Sequence, residues 1–166
     1  EVKAVVLDVD SASMTLAQVQ EVRRLLQQVR AAKKDVWLYT EMLTTKTALL
    51  GSVANHMTLL PEGNVMLSGM HSESMYFKGL LDKVGVKVQV VHIGDFKSAG
   101  ETFYRNGPSE PAQKQTDALM DSMYQQMIED IAEGRGITEE KMKGIVDMGM
   151  VSAKQALELK LVDHLD

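Results

Sequence analysis

The chain begins with a continuous apolar run, "VKAVVLDVD" (residues 2–10), that ends in acids. Such a run suits a strand buried on both faces. Over residues 15–34 the pattern changes, with Leu16, Val19, Val22, Leu26 and Val29 recurring at spacings of three and four. That is the period of an amphipathic helix. "DVWLYT" (35–40) predicts a second strand, completing a βαβ unit with a right-handed crossover. Residues 44–55 predict a short, mostly apolar helix, and "MTLLPEG" and "NVMLSG" predict two short strands separated by a Pro-Glu-Gly turn. The stretch 72–85 opens with a Ser/Glu start signal and stops on Gly85, so a helix is expected there. "VKVQVVHIG" (86–94) predicts the last strong strand.

Beyond residue 94 the period turns helical. Residues 110–136 carry Leu119, Met120, Met123, Met127 and Ile131 on one stripe, with Pro111 in the first turn, where proline is tolerated. Residues 138–149 and 152–166 read as two further short helical pieces. The pattern as a whole predicts an α/β fold. Strands 2–9, 36–40 and 86–93 are expected in mostly parallel βα layers, followed by a helical C-terminal third.

Composition narrows the function classes. The 166 residues suffice for one domain with a proper core, and 45% apolar with 25% charged residues is a globular balance. A net charge of −5 argues against nucleic acid as a partner, which calls for a basic stripe. With no Cys, disulfides and thiolate metal sites are excluded. No apolar run approaches the roughly 20 residues of a membrane span. No signal peptide is visible, and the chain opens directly in a strand without Met. It is therefore expected to be a single domain, 1–166, excerpted from a longer chain.

Most candidate chemistry falls to plainer explanations. The twelve Met residues mostly occupy helix core positions, where Met packs flexibly. His56, His71, His92 and His164 have no ligand spacing, so no metal is predicted. Asp8 and Asp10 end a strand at what is commonly the binding edge of a parallel sheet, but acids are also ordinary strand terminators there. The glycines form neither a dinucleotide fingerprint nor a P-loop, and there is no Gly-x-Ser-x-Gly elbow. Lys97 is different in kind. It follows an apolar strand and is flanked by Ser98, Ala99 and Gly100. A partly desolvated amine has a lowered pKa and can take a proton from a hydroxyl. Position alone favours a lysine whose stem packs while its head reaches water.

The segment around that lysine adds a resemblance. "LLDKVGVKVQVVHIGDFKSAGETFYRNGPSEPAQKQ" (80–115) resembles the lysine-bearing segment of the signal peptide peptidase A, or protease IV, family (peptidase family S49). There a Leu-Leu-Asp-Lys-x-Gly-Val helix end, a Gly-x-(Tyr/Phe)-Lys-Ser-Ala turn and a Glu-x-Phe-x-Arg stretch follow one another. Here these are Gly94–Asp95–Phe96–Lys97–Ser98–Ala99, then Glu101, Phe103 and Arg105. "SAKQALELKLVDHL" is similar to the family's ending, and "ANHMTLLPEG" to the region after its nucleophile helix. The resemblance implies a Clp-protease/crotonase-like α/β fold and a serine endopeptidase with a Ser–Lys dyad. The implied substrates are hydrophobic signal peptides left after cleavage. No cofactor is implied. The implied setting is a homo-oligomer at the bacterial inner membrane, with its soluble domain on the periplasmic side. The Met-rich C-terminal helices are candidates for the contact between copies. Lys97 falls on the family's general base.

Two departures shape the reading. Single-domain members carry Ala-Ser-Gly-Gly at the nucleophile helix; here the stretch is Leu43–Thr44–Thr45–Lys46–Thr47, with Thr45 about where the Ser belongs. Their Ser-Pro-Gly-Gly oxyanion loop is here Ser11–Ala12–Ser13–Met14. In tandem members one half supplies the lysine and the other the serine, and this chain resembles the N-terminal, lysine-bearing half. On that reading the nucleophile comes from a C-terminal serine-bearing domain, and this chain alone is inactive. Ser98, or Ser68 in the "MLSG" turn, is a candidate to orient the amine, with turn formation as the competing role. The rival readings are a catalytically silent scaffold that holds partner domains together, and a self-sufficient acyl-CoA enzyme of crotonase type. The second would need an oxyanion hole that the lost glycines weaken.

Overall fold

A computed structural model describes residues 2–10 and 13–166. The chain falls into two compact units, Glu1–Gly69 with Gln126–Asp166, and Met70–Gln125.

The first unit is α/β. Strands β1 (Ala4–Asp8), β2 (Asp35–Thr44) and β3 (His56–Met66) run parallel, with Val6 opposite Trp37 and Trp37 opposite His56. Two short strands extend β3: β4 (Met150–Ser152) pairs antiparallel and β5 (His164–Leu165) parallel. The sheet is therefore mixed but mostly parallel. Helices α1 (Leu16–Ala31), α2 (Thr45–Gly51) and α7 (Ala153–Glu158) pack on it, and α6 (Glu139–Met148) adds Met142 and Ile145 to the core. Strand period places Val36, Leu38 and Thr40 of β2 and Met57 and Leu59 of β3 inward, and all five are buried.

Helix α1 starts where its sequence asks. Thr15 caps it, accepting the Gln18 N–H while its own N–H donates to the Gln18 side chain at 2.8 Å. Val19 and Leu26 lie on its buried stripe together with Arg23. A buried guanidinium needs a partner, and Asp130 supplies one at 2.9 Å.

Two readings of the strands are corrected. β1 is not covered on both faces: it is an edge strand, and Ala4, Val6 and Asp8 are exposed on a face left open among the described residues. On that same open face Trp37 stacks on His56 at 3.8 Å between ring centroids. The two short strands predicted after residue 56 are one strand, β3, with the Pro61–Gly63 segment absorbed as an irregularity. Its pairing slips from Thr40 opposite Leu59 to Met42 opposite Asn64. Asp10 stabilises the matching kink in β2, accepting the Thr40 hydroxyl at 2.9 Å and the Glu41 N–H at 2.6 Å. Gly63 is required there, since a Cβ would lie 2.5 Å from the Glu41 carbonyl oxygen.

The second unit has little regular structure. The helix expected over 72–85 shortens to α3 (Lys78–Lys83), ended by Gly85 at φ +73° as its stop signal implies. The strand expected over 86–94 does not form; these residues join no sheet, and Val91 is 96% exposed. A strand needs a neighbour's N–H and C=O groups, and among the described residues of the second unit no segment pairs with this one. A short helix, α4 (Glu101–Tyr104), follows, and then α5 (Glu110–Arg135), which runs from the second unit into the first. Of the stripe expected on α5, Met127 and Ile131 are buried, whereas Leu119 is 56% exposed. The C-terminal third is helical apart from the short strands β4 and β5.

Candidate active site

The lysine turn lies in the second unit. Gly94, at φ +92°, bends the chain at the end of the valine-rich segment, and its carbonyl accepts the Lys97 N–H at 3.3 Å. Ser98 then accepts the Glu101 N–H at 2.9 Å, and Gly100 the Phe103 N–H at 3.0 Å. Gly100 has no room for a side chain, because a Cβ would meet Val90 Cγ1 at 2.6 Å. The small residues after Lys97 thus allow the turn to lie against the extended segment before it. Thr102 fastens the other side: its carbonyl accepts the Phe77 N–H at 2.7 Å, and its hydroxyl donates to the Met75 carbonyl at 3.2 Å.

Lys97 itself is exposed among the described residues. Its backbone is held and its side chain is presented outward. Phe96, beside it, is 62% exposed, and Ile93 is 89% exposed. Ser98 is half-buried and lines a cavity of about 440 Å³ with Ser72, Ser74, Tyr76, Glu101 and Thr102. Glu101 is the buried charge of this region, 6% exposed, and sequence reasoning gave it no role of its own. Its carboxylate accepts the Ser109 N–H at 2.8 Å. Hydrogen bonds from the Ser109 hydroxyl and N–H outweigh desolvation and hold it below the usual carboxylate range, with help from the charges of Arg105 and His92.

Thr45, which the resemblance sets about where a nucleophile would stand, lies in the first unit. Thr44 caps α2, leaving Thr45 as its first residue. The Thr45 hydroxyl donates to the Ser68 carbonyl and accepts the Ser68 N–H, both at 2.9 Å. Its proton and one lone pair are already in use. Next to it Lys46 donates through Nζ to the Met14 carbonyl at 3.0 Å. Ser13, Met14, Thr44 and Thr47 line a cavity of about 310 Å³ there. Ser11 and Ala12, half of the expected oxyanion loop, lie outside the described residues. Ser68 is brought to Thr45, while Lys97 and Ser98 belong to the second unit. Asp10 serves the β2 kink, in line with its plainer reading.

Comparison with known proteins gives consistent results. The profile of peptidase family S49 matches residues 28–166. Protease 4 of Salmonella typhi is 31% identical over 150 residues, 86% of this chain and 24% of that protein. The chloroplastic serine protease SPPA of Arabidopsis thaliana is 25% identical over 99% of this chain, again 24% of its own length. A Synechocystis relative is 30% identical over 98% of this chain and 58% of its own length. The chain thus spans about a quarter of the first two relatives and just over half of the third. A solved enoyl-CoA hydratase/isomerase from Cupriavidus metallidurans overlays 90% of this chain and 39% of its own with a TM-score of 0.42 at 10% identity, too loose a match to define the fold further.

Proposed function

Because the chain belongs to peptidase family S49, we propose that it is the general-base half of a Ser–Lys endopeptidase of Clp-protease/crotonase-like type. The observation that carries this reading is the contrast between two sites. Lys97 is presented outward by a turn tied down on both sides, whereas the hydroxyl at the nucleophile position, on Thr45, is engaged as donor and as acceptor. The base is available and the nucleophile is not, so the serine comes from another domain or subunit. Closure of that partner over residues 93–97 buries the lysine that is exposed here.

In the assembled site the neutral Lys97 amine takes the proton of the serine hydroxyl as its oxygen attacks the peptide carbonyl carbon. The resulting ammonium returns that proton to the leaving amine as the C–N bond breaks, leaving an acyl-enzyme for water to hydrolyse. We assign the orienting of that amine to Ser98, next in the chain, with Ser68 as the alternative. The exposed Ile93 and Phe96 beside the lysine suit an apolar peptide, in keeping with cleaved signal peptides at a bacterial inner membrane, with the chain on the periplasmic side of a homo-oligomer. Among the described residues no helix is long and apolar enough to cross a membrane.

The purified 166-residue chain is expected to show no peptide-ester hydrolysis. Loss of one oxyanion donor alone costs about 3–4 kcal/mol of transition-state stabilisation, and here the nucleophile is missing too. Turnover by this chain that disappears in Thr45→Ala would instead assign it the serine role. A scaffold without catalytic function predicts that Lys97 is dispensable in the assembled protein.

A further inference from the structure

We infer that Glu101 is a positioning residue for Lys97, a clamp that fixes the lysine turn to the first turn of α5. The inference rests on the reading of Lys97 as the base, and its own geometry is visible without it. A carboxylate is seldom buried without compensation, yet Glu101 is 6% exposed and lies among small and polar side chains. Its hydrogen-bonded compensation comes from Ser109, with the charges of Arg105 and His92 assisting. The carboxylate accepts the Ser109 N–H at 2.8 Å. Ser109 is in turn the cap of α5: its Oγ accepts the Ala112 N–H at 3.3 Å and its carbonyl the Gln113 N–H at 2.9 Å. The negative charge therefore meets the positive end of a 26-residue helix.

The same residue holds the turn through its backbone. The Glu101 N–H donates to the Ser98 carbonyl, and its carbonyl accepts the Arg105 N–H, each at 2.9 Å. Side chain and main chain of one residue thus join segment 97–101 to the start of α5. Lys97 is a long, flexible side chain, and a base misplaced by about 1 Å can cost a hundredfold in rate. Fixing its backbone limits how far its amine can stray.

The test uses the protein that carries this chain together with its serine-bearing domain, with a peptide ester as substrate, and compares Glu101→Ala, Glu101→Gln and Lys97→Ala. Hydrogen exchange is followed at residues 98–109 and, as a control, at β2. The clamp predicts that Glu101→Ala lowers kcat tenfold or more while KM stays within twofold. It also predicts that the Ser109 amide exchanges at least tenfold faster, with β2 unchanged. Glu101→Gln, which keeps an acceptor oxygen for the Ser109 N–H, recovers kcat to within threefold. If Glu101→Ala does not fold, Glu101→Asp takes its place, since it keeps the charge but draws the carboxylate back by one methylene; the same signs are expected. Wild-type kcat in Glu101→Ala, or unchanged exchange at Ser109, overturns the clamp. Full turnover in Lys97→Ala with faster Ser109 exchange in Glu101→Ala overturns the base reading while leaving the clamp as a structural fact.

Discussion

Thr45 stands about where the family resemblance sets a nucleophile, and its hydroxyl is engaged within the first unit by both backbone groups of Ser68. Thr45→Ala should therefore cost about 1 kcal/mol of stability, read as a lower denaturant midpoint, and leave the activity of the assembled protein unchanged. Gly100 sits against Val90 with no room for a methyl group, so Gly100→Ala should destabilise the second unit by about 1–3 kcal/mol, seen as faster amide exchange over residues 97–104. With its role as base resting on the family resemblance, Lys97 was legible only as a candidate, a lone lysine among small residues after an apolar segment. Glu101 was not. Its burial depends on Ser109, eight residues further on, and nothing in the identity of a glutamate says whether a helix start will be folded onto it.

At the scale of elements, helices were read better than strands because a helix carries its evidence locally. The spacing along α1 and the Thr15/Gln18 and Ser152/Gln155 pairs mark real starts, and both pairs form capping boxes. Thr15→Ala should lower stability by about 1 kcal/mol, measurable by thermal melting. Strands depend on neighbours that a sequence does not name. The valine-rich stretch 86–94 has the composition of a strand but no ladder to join, and β1 looks doubly buried yet lies at a sheet edge. The slip between β2 and β3 was equally hidden, since it rests on Asp10 reaching across from the end of β1 to Glu41.

Across the first unit, one ion pair gathers distant parts of the chain. Arg135, at the end of α5, donates to both oxygens of Asp163, at 3.1 and 2.7 Å, and Asp163 also accepts the Met57 N–H of β3 at 2.8 Å. Burial alone would raise the Asp163 carboxyl, but the Arg135 hydrogen bonds and charge and the Met57 N–H bring it below its ordinary value. With the folded pKa depressed, this stabilisation is complete above the unfolded value of about 3.9 and is lost as pH falls through the lower folded value. Asp163→Asn should cost about 2 kcal/mol at neutral pH, and the difference from wild type should shrink in melts taken at progressively lower pH below 4. The role of Lys97 is decided most directly by comparing Lys97→Ala and Lys97→Arg with the parent in the protein that joins this chain to its serine-bearing domain, following peptidase kcat against pH. A general base supplies roughly a hundred- to ten-thousandfold. Both variants should therefore lose at least a hundredfold while still assembling, because a guanidinium keeps its proton at any working pH. The parent's rate should rise with pH, because a general base acts in its deprotonated form. Near-normal turnover in Lys97→Arg would show that charge and packing suffice there, and that Lys97 is not the base.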